Sequence, residues 1–491
     1  MTTFFQSIKR SFRGLPILAL LSLITVTGCR KYLEVPLPIN VIAGSAAYGN
    51  DNTSGAALNS IYAQLYSSGI FDGTSNVGYL TGLYGDEFRN LSALPSNQAL
   101  YGDGVSSTLG GVTGIWTNLY KQLYSVNLAI ESLAPPVTSL NYRNQWLGEA
   151  YFLRGLFYFN LSNLYGDVPL VLTSDYLKNN VLARSTRADV LKQVLSDLRK
   201  AQGLLDKAYH DATGAVTTDR GRPNRMAATA LLAKVYLYTQ DWPNAESQAD
   251  SLVSDVADYQ LTTPVQTFLV NSKEVIWGIV PTQNGLYSYI AKDAVVYYLP
   301  AGKAPQLQAV GVCLSDSLVK AFEPGDSRYT NWVGVDSVAA SGTTPAAVYY
   351  YAHKYQAIGT YTKAQETVVV LRQGEQYLIR AEARAQQNKL TGATGAASDL
   401  NAVRARAGLP PTTATTQADL LSAIQNERRI ELFSELGNRY FDLRRTGALD
   451  ALMTDLAPKK GGSWSTLKQW WPIPLTDVQN DSYLVQTPGY L

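Results

Sequence analysis

Residues 149–170 of this 491-residue chain read EAYFLRGLFYFNLSNLYGDVPL. Apolar residues recur at three- and four-residue intervals from Leu147 to Tyr165, which is the spacing of one face of an α-helix. Gly166 and Pro169 follow at once, and both residue types end helices. The stretch therefore predicts a long helix that ends close to residue 166.

The same spacing recurs in pairs of helices that are joined by short turns. After Pro223, small and apolar residues line one helix face as far as Tyr238, and Asp241-Trp242-Pro243 then forms a tight turn before a second, shorter helix. Such a pair resembles a tetratricopeptide unit, in which two helices pack against each other through small residues. Two further pairs are predicted, in 377–407 and from residue 418 onwards.

Two long segments between the predicted helices, 67–111 and 258–372, are rich in Gly, Ser, Thr, Tyr and Pro. Only short strand-like stretches interrupt them, such as Glu274–Val280 and Thr367–Leu371. Long irregular segments inside a folded protein are either disordered or functional, and the many aromatic side chains here argue against disorder. The sequence thus predicts a helical scaffold whose insertions carry a binding surface.

Composition excludes some classes of protein. Hydrophobic residues make up 46% of the chain and charged residues 16%, which is too apolar for a disordered protein. Lys and Arg number 41 against 39 Asp and Glu, so the chain lacks the broad positive field of a nucleic-acid-binding protein. Tyrosine outnumbers phenylalanine 32 to 12, and tyrosine suits wet binding surfaces as well as cores.

The first thirty residues carry a targeting signal. Three basic residues and no acidic ones precede a mostly apolar run, Leu15–Val26, which is too short to span a bilayer and is typical of a secretory signal peptide. Val26-Thr27-Gly28-Cys29 resembles the lipobox of bacterial lipoproteins, which implies cleavage before Cys29 and a lipid on its sulfur. An ordinary secretory signal is the alternative. Because Cys313 is the only other cysteine, lipidation leaves it without a disulfide partner.

Several segments, in one consistent order, resemble the SusD/RagB family. Residues 149–170 resemble its Ala-x-x-Phe-Leu-Arg-Ala … Tyr-Gly-x-Val-Pro-Leu signature. Matching segments follow at Gly221–Leu252, Glu427–Leu432, Arg439–Arg445, Trp471–Pro474 and Asn480–Tyr490. Gly437-Asn438-Arg439 departs from the Gly-His-Arg of many members, and Arg30-Lys31 stands where an acidic export signal is common.

The resemblance implies a mainly α fold, in which tetratricopeptide-like helix pairs form a right-handed superhelical scaffold with loop-rich insertions and a few short strands. It also implies an outward-facing outer-membrane lipoprotein that is held by its lipid anchor. Such a protein binds oligosaccharides and delivers them, without catalysis or a cofactor, to a SusC-like TonB-dependent transporter. A peptide-binding member of the same family is an alternative.

This interpretation divides the chain into a signal peptide, a tether and one body. The predicted boundaries are 1–28 for the signal peptide, 29–55 for the lipidated tether and 56–491 for the body, with scaffold segments 112–257 and 373–455, insertions 67–111 and 258–372, and a closing segment 456–491.

Sugar capture needs flat aromatic faces for pyranose rings, together with amide, carboxylate or guanidinium groups for ring hydroxyls. The stretch 84–90 combines these groups, and Tyr287 and Tyr289 would share one face of a strand. The predicted ligand-binding residues are Tyr79, Tyr84, Asp86, Arg89, Asn90, Tyr287, Tyr289 and Trp332. An internal ion pair that shapes the loop is the alternative role for Asp86 and Arg89.

Motifs for metal binding or catalysis are missing from the sequence. Neither His210 nor His353 sits in a zinc-binding pattern, so no metal site is predicted. A surface glycoside hydrolase that uses an unrecognised pair of carboxylates remains a second alternative. The five arginines between Arg428 and Arg445 alternate with acids, and a helical ion pair between Glu435 and Arg439 is predicted there rather than a nucleic-acid patch.

Overall fold

The computed structural model describes residues 44–68, 70–136, 139–283, 285–302, 311–340, 342 and 345–490. Residues 48–491 form one compact unit, and the account below concerns that unit. The predicted signal peptide, the lipidation site Cys29 and most of the predicted tether lie outside the described residues. In the part of the chain that is described, no helix is both long enough and apolar enough to cross a membrane.

Helices dominate the described chain, as predicted. They are α1 Asp51–Ser68, α2 Val77–Tyr84, α3 Pro95–Tyr101, α4 Gly110–Leu133, α5 Arg143–Tyr165, α6 Tyr176–Asn179, α7 Arg187–Leu204, α8 Arg225–Tyr238, α9 Trp242–Val253, α10 Asp293–Val296, α11 Asp316–Val319, α12 Ser327–Trp332, α13 Gln373–Gln386, α14 Ala396–Arg406, α15 Gln417–Glu431, α16 Asn438–Arg445, α17 Leu449–Lys459 and α18 Leu475–Asn480.

The strands are short and form five antiparallel pairs among the described residues. The pairs are β1 Phe88–Asn90 with β7 Val312–Leu314, β2 Val168–Pro169 with β3 Arg184–Ser185, β4 Tyr209–His210 with β5 Val216–Thr217, β6 Val275–Ile279 with β10 Val368–Arg372, and β8 Val333–Val338 with β9 Ala347–Ala352. Two of these strands, β6 and β10, fall on the strand-like stretches that the sequence predicts.

Helix α5 is the centre of the scaffold. It ends at Tyr165, directly before Gly166 as predicted, and nearly all of its side chains are buried. It packs between α4 and α7, and Arg154 holds α7 through two 2.8 Å hydrogen bonds to the Asp197 carboxylate. The arginine of the opening motif is thus a structural residue, because it neutralises a fully buried acid.

The predicted helix pairs are present. Helix α7 packs on α8, α8 on α9, α9 on α13, and α13 on both α14 and α15. One buried cluster joins the last three of these helices, and it includes the small and apolar residues that the sequence places at their crossing points, Ala381, Ala385, Leu400 and Val403. The handedness of the superhelix and the segment boundaries stay predictions.

Helical structure begins within the segment 29–55 that the sequence assigns to the tether. Helix α1 begins at Asp51, and the Asn50 side chain accepts a 3.0 Å hydrogen bond from the Thr53 amide at its first turn. Gly55 belongs to this helix, where a Cβ atom would lie 1.9 Å from the carbonyl oxygen of Ala212. The glycine therefore allows two backbones to pack closely.

The insertion 67–111 is also more helical than predicted. Helix α2 is capped by Asn76, whose side chain accepts a hydrogen bond from the Tyr79 amide, and α3 begins at Pro95. Every residue of α2 is buried. The helix has only eight residues, two of them glycines, which is too short a stretch to show the periodicity that predicts helices.

A buried ion network joins the insertion 258–372 to helix α15. Glu431 accepts hydrogen bonds from Arg372 at 2.5 Å, from Arg328 at 2.8 Å and from Arg406. Burial acts to raise the pKa of Glu431, but these three guanidinium groups hold it well below its usual range. The carboxylate therefore stays ionised in the core and ties β10, α12 and α14 to α15.

We expect Glu431→Gln to destabilise the protein by about 3–5 kcal/mol, because three buried arginines would lose their shared counter-ion. Chemical denaturation of the purified variant measures this loss. The matched control is Asp455→Asn, which breaks an exposed ion pair with Lys459 and should cost no more than about 0.5 kcal/mol. Equal losses in the two variants would contradict the central role of Glu431.

Candidate functional site

Arg89 is the charged residue at the centre of the candidate site, which is formed by residues of the two insertions, 67–111 and 258–372. It lies on β1, directly opposite Cys313 on β7. Its side chain is 40% exposed, and Nη1 lies 3.7 Å from the carboxylate of Asp316, which is 70% exposed. The Nε atom is buried and has no hydrogen-bond partner among the described residues. The exposed part of the guanidinium group is thus open to a ligand, while the residue stays anchored to a strand.

Two half-buried tyrosines flank Arg89. Tyr101 is the last residue of α3. Burial raises the pKa of its hydroxyl, and the positive charge of Arg89 acts to lower it. Tyr349 lies on β9, and its electrostatic interaction with Arg89 helps to raise the pKa of the guanidinium group. Burial acts to lower the pKa of Arg89, but Cys313, Asp316 and Tyr349 together raise it, so the guanidinium group stays charged.

A second aromatic group continues the site along β9. Tyr349 and Tyr351 point to one face of this strand because side chains alternate along a strand. Tyr351 packs edge-on against Tyr298 at 5.9 Å and against His353 at 5.5 Å. Its ring lies over Gly334 of β8, where a Cβ atom would come within 2.1 Å of the ring. Burial lowers the pKa of His353, so its imidazole is neutral at pH 7.

Three of the predicted ligand-binding aromatics lie in the core instead. Tyr84 and Trp332 are fully buried, and they donate hydrogen bonds to the carbonyl oxygens of Lys468 at 2.7 Å and Pro264 at 2.8 Å. Tyr79 is buried as well, and its hydroxyl accepts a hydrogen bond from Asn97 at 2.9 Å. In this arrangement their rings pack loops onto the body and have no face open to a sugar.

The polar residues of the stretch 84–90 separate into different roles. Asp86 is buried between Arg429 and Arg439, at 3.0 and 2.9 Å. Burial acts to raise its pKa, but hydrogen bonding to Arg439 and the two positive charges lower it. Asp86 therefore takes the alternative role of an internal ion pair, and only Arg89 keeps a large exposed surface.

The predicted ion pair between Glu435 and Arg439 is wrong. Helix α15 ends at Glu431 and α16 begins at Asn438, so the helical spacing is interrupted between the two residues. Glu435 instead accepts hydrogen bonds from Arg372 and Lys354.

Asn90 closes its own loop, since its side chain bonds to the amide and the carbonyl of Ser92. Tyr287 and Tyr289 are half-buried and do not lie on a strand. Tyr287 ends a 3-10 turn at Gly285–Tyr287, and Tyr289 has a left-handed backbone with φ of 64°. The expectation that alternation puts both rings on one strand face is therefore wrong.

Tyr101, Tyr298, Tyr349 and His353 are the site residues that sequence reasoning does not select. The segment 347–352, AVYYYA, could have indicated part of the site from sequence, because alternation along a strand would place two of its three tyrosines on one face. The pairing of β1 with β7, which brings residue 89 next to residue 313, has no signal in a single sequence. Among the described residues, no group of three or more His, Cys, Asp and Glu could hold a metal ion.

A pair of buried carboxyl groups holds the base of the loop that leads to Tyr298. Asp72 accepts hydrogen bonds from the amides of Lys292 at 2.7 Å and Asp293 at 2.9 Å. Asp293 accepts from the Gly73 amide at 2.8 Å and from the Asn76 side chain at 2.9 Å. Burial raises the pKa of Asp72 to about 6, and burial together with the charge of Asp72 raises that of Asp293 well above its usual range.

Comparison with known proteins identifies the family. A family model described as "SusD family" matches residues 205–490, which is more than half of the chain. The chain belongs to the SusD family. A second model, described as "Starch-binding associating with outer membrane", matches residues 50–237. The resemblance that the sequence motifs carry is thus confirmed, as is the mainly α fold.

Relatives and solved structures match over most of their length. A SusD-like protein of Formosa agariphila is 24% identical over 515 aligned positions, which cover 94% of this chain and 95% of that protein. A SusD superfamily protein from Bacteroides vulgatus superposes with a TM-score of 0.74 at 21% identity, covering 90% of this chain and 100% of that chain. A laminarin binding SusD-like protein superposes with a TM-score of 0.72 at 25% identity, with the same coverage.

The carboxyl pair predicts a pH dependence of stability. Both folded-state pKa values lie above the unfolded value, so the stabilisation is complete below about pH 4 and is lost as pH rises through about 6. We expect Asp293→Asn, which mimics the protonated acid, to flatten this dependence by roughly 1–3 kcal/mol between pH 4.5 and 7.5. Denaturation at both pH values measures it, with Asp455→Asn as the exposed control. An unchanged slope in Asp293→Asn would contradict the raised pKa of Asp293.

Proposed function

We propose that this SusD family member captures a glycan at the site around Arg89 and delivers it uncleaved to a SusC-like TonB-dependent transporter in the outer membrane. The observation that carries the capture role is Arg89 itself. Its guanidinium group is charged and partly open, with Tyr101 and Tyr349 beside it and the Asp316 carboxylate 3.7 Å away. No other predicted ligand residue combines charge with this exposure.

The chemistry of these groups suits a sugar. Guanidinium N–H groups donate to hydroxyl oxygens, and a carboxylate accepts from hydroxyl groups. Tyrosine rings offer apolar faces for the C–H face of a pyranose and keep a polar tip. The laminarin binding relative at 25% identity supports a glycan as the ligand, and the outer-membrane description of the second family model supports the location.

A capture role without catalysis agrees with the carboxylates near the site. Glycosidases place two carboxyl groups across the scissile bond, one as acid and one as base or nucleophile. Asp316 is the ion-pair partner of Arg89, and Asp336, which lies opposite Tyr349 in the β8–β9 ladder, accepts a 2.8 Å hydrogen bond from the Gly302 amide. Each acid thus has a partner within the protein, which favours a structural role over a catalytic one.

Calorimetry of the full chain in detergent against laminarin oligosaccharides and a peptide panel tests capture, with product analysis of every mixture. We expect Arg89→Ala to weaken glycan binding about tenfold or more, because a hydrogen bond from a charged donor contributes about 1.5–3 kcal/mol. Tyr349→Ala should also weaken it. The matched control is Tyr176→Ala on α6, which removes a tyrosine that is 70% exposed elsewhere and should change nothing.

Three results would overturn parts of this proposal. Cleaved products would replace capture by hydrolysis. Binding of peptides alone would keep the family and change the ligand class. Equal affinity of Arg89→Ala and the unmodified chain would move the glycan site away from β1.

The anchor and the partner can be tested together in cells. We expect Cys29→Ser to disappear from the outer-membrane fraction, since the lipid supplies the membrane affinity. Cys313→Ser, which changes the buried second cysteine, should remain there and co-purify with a barrel transporter. Retention of Cys29→Ser in the membrane would contradict the lipid anchor, and a transporter-free preparation of Cys313→Ser and of the unmodified chain would contradict the delivery role.

A further inference from the structure

A second cleft lies away from β1, between α1, the β4–β5 hairpin and the end of β6. Its volume is about 260 Å³, and its lining includes Asn59, Tyr62, Tyr66, Asp211, Asp219 and Arg222. Ile279 and Val280 complete an apolar wall. Nothing in the Arg89 site contributes to this lining, so the two sites share no residue.

The floor of the cleft holds a buried arginine with a free donor. Arg222 is only 7% exposed, and its guanidinium group lies between the rings of Tyr62 and Trp146, 5.1 Å from each centroid. Nε donates to Glu149 at 3.2 Å, and Nη2 lies 2.8 Å from the same carboxylate. Nη1 has no hydrogen-bond partner among the described residues. A buried N–H without an acceptor costs free energy unless a ligand or water supplies one.

The rim of the cleft supplies acceptors. Asp211 uses Oδ1 for the amides of Thr213 and Ala215, and Asp219 uses Oδ1 for the amide of Gly221. The second carboxylate oxygen of each aspartate makes no hydrogen bond with the described part of the chain. The Asp211 carboxylate and the Arg222 guanidinium group attract each other electrostatically. The cleft therefore sets free acceptors on its rim near a free donor on its floor.

This combination selects a hydroxyl group. A hydroxyl oxygen can accept from Arg222 Nη1 while its hydrogen is donated to an aspartate. A carboxylate ligand cannot donate, and it would meet two acids on the rim, Asp211 and Asp219, against one arginine that is already paired with Glu149. An ammonium group cannot accept from Arg222. The apolar wall of Tyr62, Tyr66, Ile279 and Val280 suits the C–H face of a ring.

We propose that this cleft is a second saccharide site, which binds one neutral sugar unit through its hydroxyl groups. Its size fits a single ring better than a long chain, since clefts for larger ligands reach roughly 300–1,000 Å³. The ligand class follows from the donors and acceptors of the cleft, independently of the glycan capture proposed at Arg89.

Saturation-transfer NMR of the full chain with glucose, glucuronate and glucosamine tests the proposal. The Arg89→Ala background removes the contribution of the other site. We expect glucose to give a signal there, and glucuronate to bind about tenfold more weakly because the acids repel it. Ala63→Trp, on the exposed face of α1 that lines the cleft, should fill it and abolish the signal. Ser60→Trp, on the same helix but outside the lining, is the matched control.

Several outcomes would overturn the second site. They are a glucose signal that survives Ala63→Trp, no glucose signal in the Arg89→Ala chain, and tighter binding of glucuronate or glucosamine than of glucose. Because Ala63→Trp and Ser60→Trp are compared within one background, failure of glycan capture at Arg89 leaves this comparison intact. Thermal denaturation of both tryptophan variants shows whether the fold is retained.

Discussion

The buried carboxylate of Glu431 is the interaction on which the architecture depends. Three arginines from different parts of the chain converge on it: Arg328 from α12, Arg372 at the end of β10 and Arg406 at the end of α14. Taking these charges out of water is costly, and the cost is met only because each guanidinium group has further acid partners, such as Asp326 for Arg328 and Glu435 for Arg372. The network thus ties the irregular insertion to the helical scaffold at one point.

This constraint explains how a loop-rich surface can present fixed side chains. Helix α12 runs directly into β8, and β8 pairs with β9, which carries Tyr349 and Tyr351. Trp332 at the end of α12 is buried beside the arginines, and it lies 5.2 Å from the Arg406 guanidinium group. The start of β8 is therefore packed against this network, while Tyr351 is buried and Tyr349 lies half-buried further along β9. Binding groups on loops gain accuracy when a packed scaffold holds the ends of those loops.

The molecule uses arginine in two ways that a single sequence does not distinguish. Arg154 and Arg372 are buried, and all three guanidinium nitrogens of each donate hydrogen bonds, so they hold elements together. Arg89 and Arg222 each keep a nitrogen without a partner among the described residues. A donor without a partner beside a cleft or an open surface can form a hydrogen bond with a ligand, whereas a donor that is already bonded within the protein has a structural role. Arg406 and Arg428, which lie in buried ion pairs, also keep one nitrogen without a partner among the described residues, so Arg89 and Arg222 are distinguished by their position beside an open surface and a cleft.

The sequence by itself determined the helical scaffold, the strands β6 and β10 and the family, because periodicity and motifs are local properties of the chain. Helix α5 ends at the predicted place because Gly166, the next residue, adopts a positive φ of 75° and so ends the helix locally. Only the tertiary structure decided which aromatics face solvent. Tyr84 and Trp332 are aromatic residues with a polar tip, as Tyr349 is, but their burial depends on partners such as Lys468 and Pro264 that are distant in sequence. Burial and pairing across hundreds of residues leave no local pattern, and for that reason the candidate binding residues, unlike the fold, depend on the tertiary structure.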